Sequence, residues 1–173
     1  MGNILLETNR LILRKLSLGD AKLMLKYSQE EITKKELPDE VFKDIKHMKK
    51  AIEFFITHYD WEYNHCFPIV YGIILKQNNT IIGHICLSEM DRGIEISYAI
   101  ATDYQNNGYA SETISPFVVW SKNHLRINEI YGVAKRENIQ SWKILEKNGF
   151  KLIEEGLFKN YFEGKYVVKI YVK

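Results

Sequence analysis

The chain turns at Tyr104–Glu112, which reads YQNNGYASE, and the rest of the sequence can be interpreted as support for this loop. Upstream, Ile94–Ile100 alternates apolar with smaller or polar residues, as a strand does, and downstream Ser111–His124 is a helical run. A helix start leaves its first N–H groups unpaired at the positive end of the helix dipole, so the turn can receive an anion. Gly108 lets a ligand approach the backbone closely. An ordinary strand-to-helix turn is the alternative at this point.

Length and composition indicate that residues 1–173 form a single domain. Of the 173 residues, 46% are hydrophobic, and domains commonly run to about 100–150 residues or more. The 24 lysines and arginines nearly balance 22 acidic residues, for a net charge of +2. Neither nucleic acid nor a membrane surface is indicated as a partner by bulk charge.

The cysteines and the N-terminus predict the compartment. Cys66 and Cys86 lack C-x-x-C spacing, which is typical of buried thiols in a reducing compartment. The N-terminus lacks a charged-then-apolar signal pattern, and no apolar run reaches the ~18–20 residues of a membrane span. We expect a cytoplasmic protein without a membrane segment.

Apolar spacing predicts strands in runs before and after helices, which favours a mixed α/β (α+β) sheet over a doubly wound parallel sheet. Glu30–Asp39 mixes both charges and is predicted as a loop. His47 and His58 lack a ligand one helical turn away, so we expect no metal site. The predicted strands are Arg10–Arg14, Ile69–Lys76, Ile81–Leu87, Ile94–Ile100, Glu129–Ala134, Phe150–Phe158 and Tyr166–Val172. The predicted helices are Asp20–Gln29, Glu40–Asn64, Ser111–His124 and Asn138–Asn148.

The order of elements and the motifs resemble the Gcn5-related N-acetyltransferase (GNAT) superfamily, whose signature loop is Gln/Arg-x-x-Gly-x-Gly/Ala. Gln105–Ala110 fits that loop at every fixed position. Other stretches look like the branch that acetylates ribosomal-protein N-termini and also includes small-amine acetyltransferases. These stretches are Thr8–Arg14 with Asp20 and Ala21, Glu95–Tyr98, Asn138–Ser141, and Glu146–Phe150.

The resemblance implies a mostly antiparallel sheet of about seven strands with helices on both faces. Acetyl-CoA would lie where the fourth and fifth strands splay apart, near Ala101 and Ala134. The pantetheine arm would bond to the strand backbone as a missing strand would. The residues implied to bind the cofactor are Tyr98, Ala99, Ile100, Gln105, Asn106, Asn107, Gly108, Tyr109, Ala110, Ser111 and Asn138. Asn106 and Asn107 depart from the basic residue or glycine that many members carry.

Acetyl transfer to an amine needs a base, an oxyanion donor and an acid for the departing thiolate. Glu95 is the candidate base, with a structural ion pair as the alternative and Glu89 and Asp91 in reserve. Relatives with small-amine substrates often use a tyrosine as the acid, but Leu145 occupies that position. The resemblance instead implies Ser141, whose alternative role is to cap the helix.

We expect the oxyanion donor to be a backbone N–H near Ile100 or Ala101. The acceptor amine stays open between a peptide N-terminus and a small amine, and an exposed strand edge could support a homodimer. Candidates that could attract or enclose the acceptor are Glu154, Glu155, Glu163, Trp61, Tyr63, Phe67, Tyr161 and Phe162.

Two other functions compete with transfer. A CoA-binding sensor or partner module without transferase activity would keep the loop and lose the acid and base. Nucleotide binding at Gly108 is less favoured, because no glycine lies two residues before it and no Gly-Lys-Ser/Thr follows.

Overall fold

The computed structural model describes residues 4–59 and 67–173. Trp61, Tyr63 and Cys66 lie outside these residues. The strands are β1 (Ile4–Glu7), β2 (Leu11–Lys15), β3 (Ile69–Leu75), β4 (Thr80–Met90), β5 (Gly93–Ile100), β6 (Tyr131–Lys135), β7 (Lys151–Leu157) and β8 (Val167–Val172). The α-helices are α1 (Ala21–Ser28), α2 (Glu31–Glu36), α3 (Ile45–Thr57), α4 (Tyr109–His124) and α5 (Ile139–Lys147).

The described strands form one mixed sheet in the order β1-β2-β3-β4-β5-β6-β8-β7. Strands β1 to β5 pair antiparallel in sequence, β5 and β6 pair parallel, and β8 lies antiparallel between β6 and β7. The predicted fold class is confirmed. The sheet has eight strands instead of about seven, because the short β1 was not predicted.

Helices cover both faces of the sheet, as expected. On one face, Ile114 and Phe117 of α4 and Leu145 of α5 join the larger apolar cluster. On the other, Met24 of α1 and Met48 of α3 join a second cluster. Both faces of the central strands are therefore buried, which explains why β3 is buried along its whole length and reads as a continuous apolar run.

The gap that holds the site opens between β5 and β6. Their pairing joins Glu95 to Tyr131, while β5 continues to Ile100 and β6 to Lys135. The predicted splay between the fourth and fifth predicted strands is confirmed. Beyond this pair the described residues of the two strands do not pair with each other, so their backbone groups need other partners.

Two boundaries in the N-terminal half were wrong. Residues Glu30–Asp39, predicted as a loop, contain α2 and begin a 3-10 turn at Pro38–Glu40. The predicted helix at Glu40 begins only at Ile45, because the Asp44 side chain caps it by accepting hydrogen bonds from two backbone N–H groups. The apolar residue Val41, which the predicted helix includes, therefore lies in a separate segment before the observed helix begins.

Candidate active site

The signature loop forms a helix start that is open to an anion. Gly108 is the N-cap of α4 and has φ = 78°, in the left-handed region, and no side chain caps this helix. α4 begins at Tyr109, two residues earlier than predicted. The N–H groups of the first turn lack carbonyl partners within the helix. The amides of Tyr109, Ala110 and Ser111 are therefore free to bind an anion, and they lie at the positive end of the helix dipole.

The N-terminal motif holds this loop in place. Thr8 Oγ1 donates to Glu112 Oε1 at 2.6 Å, and Arg10 Nε donates to Glu112 Oε2 at 2.7 Å. The Arg10 guanidinium also donates to the Asn107 carbonyl at 2.9 Å and lies 4.5 Å from the centre of the Tyr109 ring. Burial alone would raise the pKa of Glu112, but these hydrogen bonds lower it, so the carboxylate remains charged as an anchor.

Side chains within the loop fix its shape. Gln105 Nε2 donates to the Ile100 carbonyl at 2.8 Å. Asn107 Nδ2 donates to the Gln105 and Tyr104 carbonyls at 2.9 and 3.2 Å. Asn106 has φ = 61°, a conformation that asparagine tolerates better than most residues. The two asparagines that depart from the family pattern thus have local roles in the turn.

A cleft of about 400 Å³ lies between the splayed strands. We call it the cleft. It collects most of the predicted site residues: Tyr98, Ala99, Ile100, Gln105, Asn106, Gly108, Tyr109, Ala110, Ser111, Asn138 and Ser141. Asn107 does not line the cleft, because its side chain bonds to carbonyls within the loop. Glu95 lines neither the cleft nor the second cavity described below.

The backbone of β5 divides its hydrogen-bonding groups between two sides. The Ala101 N–H donates to the Ile82 carbonyl at 2.8 Å, and a Cβ on Gly83 would lie 2.1 Å from the Ala99 carbonyl oxygen. In an antiparallel strand, every second residue forms its backbone hydrogen bonds with the same neighbouring strand. Ala99 and Ala101 bond toward β4, so the backbone groups of Tyr98 and Ile100 point toward the cleft. Ala101 is thereby removed as an oxyanion donor, and the Ile100 N–H remains.

Ser141 lies on the cleft side of β5. The Tyr98 hydroxyl donates to the Ser141 carbonyl at 3.1 Å and lies 3.1 Å from Ser141 Oγ. Burial raises the pKa of Tyr98 to about 12, so this phenol stays protonated. Asn138 caps α5 by accepting from the Ser141 backbone N–H at 3.1 Å, which leaves the Ser141 hydroxyl free of that task.

Glu95 lies at the closed end of the gap, at the residue pair that joins β5 to β6. The buried Tyr161 hydroxyl donates a hydrogen bond to Glu95 Oε1. Burial raises the pKa of Glu95, although Tyr161 and Arg92 oppose that shift. Arg92 itself forms its salt bridge with Glu154 at 2.8 Å.

Helix α2 spans the open end of the gap. Glu30, just before it, accepts from the Thr102 N–H at 2.9 Å, beyond the end of β5. At its other end, Glu36 accepts from Asn138 Nδ2 at 3.2 Å, and Lys135 Nζ donates to the Lys35 carbonyl. These long-range contacts explain a helix that local sequence did not predict.

Sequence reasoning missed the cations of the cleft. Lys135, Lys143 and Lys147 line it. Lys135 is buried and lies 4.4 Å from the centres of the Phe162 and Tyr166 rings. Lys143 and Lys147 are one helical turn apart on α5. Their spacing after Asn138 could therefore have predicted that both lie on the same face of this helix.

A second cavity of about 250 Å³ lies on the opposite face of the sheet, under α1 and α3. His84 Nε2 lies 2.7 Å from Glu40 Oε2, and Ser97 Oγ donates to Glu40 Oε1 at 3.1 Å. The first pair is 44 residues apart in sequence, and we find no sequence signal that would have revealed it.

The glutamates suggested for attracting an acceptor are all paired at the surface. Glu154 bonds to Arg92, Glu155 to Arg136, and Glu163 to Lys165. Of the aromatic candidates, Phe162 lines the cleft, and Tyr161 contacts Glu95. In residues 4–59 and 67–173, no group of three or more His, Cys, Asp or Glu side chains could hold a metal ion.

Comparison with known proteins identifies the family. Residues 10–151 match the Acetyltransferase (GNAT) domain. The chain is 31% identical to the Bacillus subtilis protein named Uncharacterized N-acetyltransferase YoaA, over 91% of this chain and 87% of that protein. It is 26% identical to YnaD of the same organism, also named as an uncharacterized N-acetyltransferase, over 89% and 85%. The chain belongs to the GNAT family and is an acetyltransferase, so both the recognised family and the enzyme class are confirmed.

Solved structures share the fold. A ribosomal-protein alanine acetyltransferase from Vibrio fischeri superposes with a TM-score of 0.80 at 17% identity, over 97% of this chain and 94% of that chain. RimL, a ribosomal alpha-N-protein acetyltransferase solved with coenzyme A, gives a TM-score of 0.80 at 17% identity, over 98% and 97%. No helix within the described ranges is both long and apolar enough to cross a membrane.

Proposed function

We propose that this acetyltransferase uses acetyl-CoA and transfers the acetyl group directly to a primary amine. The observation that carries the proposal is the cleft, where an uncapped helix start and three lysines meet the open edge of β5. Coenzyme A combines phosphates with an amide-bearing arm, and these features match the two halves of the cleft.

The phosphates and the arm take different parts of the cleft. The pyrophosphate lies on the first-turn amides of α4, from Gly108 to Ser111, where the helix dipole favours negative charge. Lys143 and Lys147 add charge from α5. The pantetheine arm bonds to the backbone groups of Tyr98, which already face the gap. The Ile100 carbonyl accepts from Gln105, and the Ile100 N–H is left for the oxyanion.

Transfer proceeds through a tetrahedral intermediate. The amine nitrogen bonds to the acetyl carbon, and the oxyanion accepts a hydrogen bond from the Ile100 N–H. Glu95 takes the proton from the amine, directly or through a water. The carbon–sulfur bond then breaks, and Ser141 supplies a proton to the departing thiolate. Alternation along β5 supports this division, because Glu95 and Tyr98 point to opposite faces.

The acceptor is a small amine or a peptide N-terminus. Two of the structural relatives are named as acetyltransferases of ribosomal proteins, which supports the second class as a candidate. A CoA-binding sensor is the alternative function, but the family relationship does not favour it.

Release of free thiol from acetyl-CoA, measured over a panel of amines and peptides, tests the proposal. We expect turnover with at least one acceptor and inhibition by CoA but not by ATP. Tight CoA binding without turnover on any acceptor would instead support the sensor. Equal competition by ATP would support nucleotide binding.

Compartment and assembly are part of the same proposal. Cys86 is a buried free thiol whose pKa burial raises to about 12, and an inert thiol of this kind supports a cytoplasmic location. Leu152, Ile153 and Leu157 are exposed on the edge strand β7, which supports a homodimer through that edge. Sedimentation of the purified protein would distinguish dimer from monomer.

A further inference from the structure

The second cavity is shaped for a compact apolar group. Its walls include Met24, Phe42, Met48, Phe55 and Val70. Ligand sites in proteins usually measure about 300–1,000 Å³, so a cavity of about 250 Å³ is small. It suits one side-chain-sized group better than an extended peptide.

One polar cluster interrupts these walls. The Glu40 carboxylate is held at one oxygen by His84 and at the other by Ser97, and its side chain is 27% exposed. Burial would raise the pKa of Glu40, but His84 and Ser97 together lower it, so it stays ionised. An ionised carboxylate can accept about four hydrogen bonds, and two positions are left for a ligand.

The charge of this lining is opposite to that of the cleft. Asp39 and Glu40 contribute carboxylates, and the described lining contains neither lysine nor arginine. The cleft contains three lysines and one carboxylate, Glu36. Burial would lower the pKa of His84 in the same lining, but Glu40 raises it. Even a protonated His84 offsets only one of the two carboxylates, so a cation is favoured in the second cavity and an anion in the cleft.

The two spaces share part of a wall. Thr33, Ala99 and Ile100 line both of them. The Ile100 N–H is also the proposed oxyanion donor, so a ligand in the second cavity would meet the acetyl group at the end of β5. Glu95 lies two residues along the strand from Ser97, about 7 Å away on the same face.

We propose that the second cavity binds the acceptor, and that this acceptor is a small primary amine with an aromatic or branched aliphatic body. Its ammonium group bonds to Glu40, and its body packs against Phe42, Met48 and Phe55. Glu40 selects and positions the ammonium group, which must lose one proton before its nitrogen can attack. Glu95 does not line the cavity, so it takes this proton through water along the shared face of β5. This inference rests on the proposed acetyl transfer.

Steady-state kinetics with 2-phenylethylamine, isoamylamine, spermidine and an alanine tripeptide test the acceptor class. We expect the two apolar monoamines to have the highest kcat/KM. Spermidine carries charges along its length that the apolar walls cannot solvate, and the tripeptide is too long for the cavity. A clear preference for spermidine or the tripeptide would overturn the proposal.

Glu40→Gln tests the ammonium contact. Loss of a hydrogen bond to a charged group corresponds to about a 10- to 100-fold rise in KM for the amine, while KM for acetyl-CoA stays within about twofold. Glu53→Gln, an exposed change of the same kind on α3, is the control and should match the unmodified enzyme. An amine KM that Glu40→Gln leaves unchanged would contradict the assignment.

A second variant covers the case in which Glu40→Gln fails to fold. Phe42→Ala enlarges the cavity and should shift preference toward bulkier amines such as 1-naphthylmethylamine by about tenfold relative to isoamylamine. Unchanged selectivity would overturn the cavity assignment.

Calorimetric titration of 2-phenylethylamine into the CoA-saturated protein separates the two proposals. Saturable binding that Glu40→Gln weakens would support the cavity even if no acetyl transfer occurred. Thiol release with amines that bind without dependence on Glu40 would retain acetyl transfer and reject the cavity.

Discussion

The cleft and the second cavity lie on opposite faces of the sheet and meet at the end of β5, yet their chemistry is opposite. The cleft is open, larger and lined by Lys135, Lys143 and Lys147. The second cavity is smaller, mostly apolar and built around Glu40. Under the two proposals, a single strand separates the site of an anionic donor from the site of a cationic acceptor.

The difference also separates the two proposed proton-transfer groups. Glu95 shares a face of β5 with Ser97, which bonds to Glu40. Tyr98 points the other way and contacts Ser141. A base on the acceptor face and an acid on the donor face match the direction in which the proton must move. A change on one side of β5 should therefore leave binding on the other side unaffected.

Glu95→Gln should have the largest effect. Loss of a general base lowers kcat by about 10²- to 10⁴-fold, with KM for acetyl-CoA unchanged because the cleft is intact. Only the ionised carboxylate accepts a proton, and burial raises the pKa of Glu95, so the rate should fall as pH drops through that raised value.

The pH–rate profile of the variant provides the check. Glu95→Gln should lack the acidic limb that the unmodified enzyme shows. Unchanged turnover with a good amine, or a persistent acidic limb, would reject Glu95 as the base.

Ser141→Ala should reduce kcat by about 10- to 100-fold, as expected for loss of a proton donor. Asn138 caps α5 through the Ser141 backbone N–H, which alanine retains, so the melting temperature should change little. A normal pH–rate profile with normal turnover would exclude Ser141 as the acid. A large loss of stability would instead assign the hydroxyl a structural role.

The double variant Lys143→Ala, Lys147→Ala should raise KM for acetyl-CoA by about three- to tenfold, since exposed charge contacts contribute modestly. KM for the amine should not change, because neither lysine lines the second cavity. The effect should shrink at high salt as the charges are screened. An equal rise in both KM values would remove the separation between the two spaces.

Gly108→Ala should lower stability modestly and should also raise KM for acetyl-CoA, because a Cβ would lie beside the proposed phosphate-binding amides. A Cβ there meets only the Arg10 guanidinium, at 3.7 Å, so the expected loss is backbone strain of about 1–2 kcal/mol in the free energy of unfolding. Chemical denaturation measures it. Gly156→Ala is a matched control, since φ at Gly156 is not positive. A loss of stability equal to that of the control would argue against strain at Gly108.

The sequence predicted most of the elements that have a regular local pattern of apolar and turn residues. Alternation in Ile94–Ile100 and the glycine at position 108 were enough to place β5, the loop and α4, and the family motifs led to most residues of the cleft. Helix α2 was missed because Glu30 and Glu36 are held by residues far along the chain. Local charge and proline spacing instead suggested a loop.

The sequence by itself determined the mixed sheet and the glycine turn into a helix start, because these follow from period and turn residues. The splayed strands were implied by the family resemblance. The tertiary structure decided which groups share a space. It brings Glu40, His84 and Ser97 together, and it turns the Ala101 N–H to Ile82 and away from the cleft. Such contacts join distant segments through packing of the whole sheet and its helices, and no local pattern in the chain encodes them.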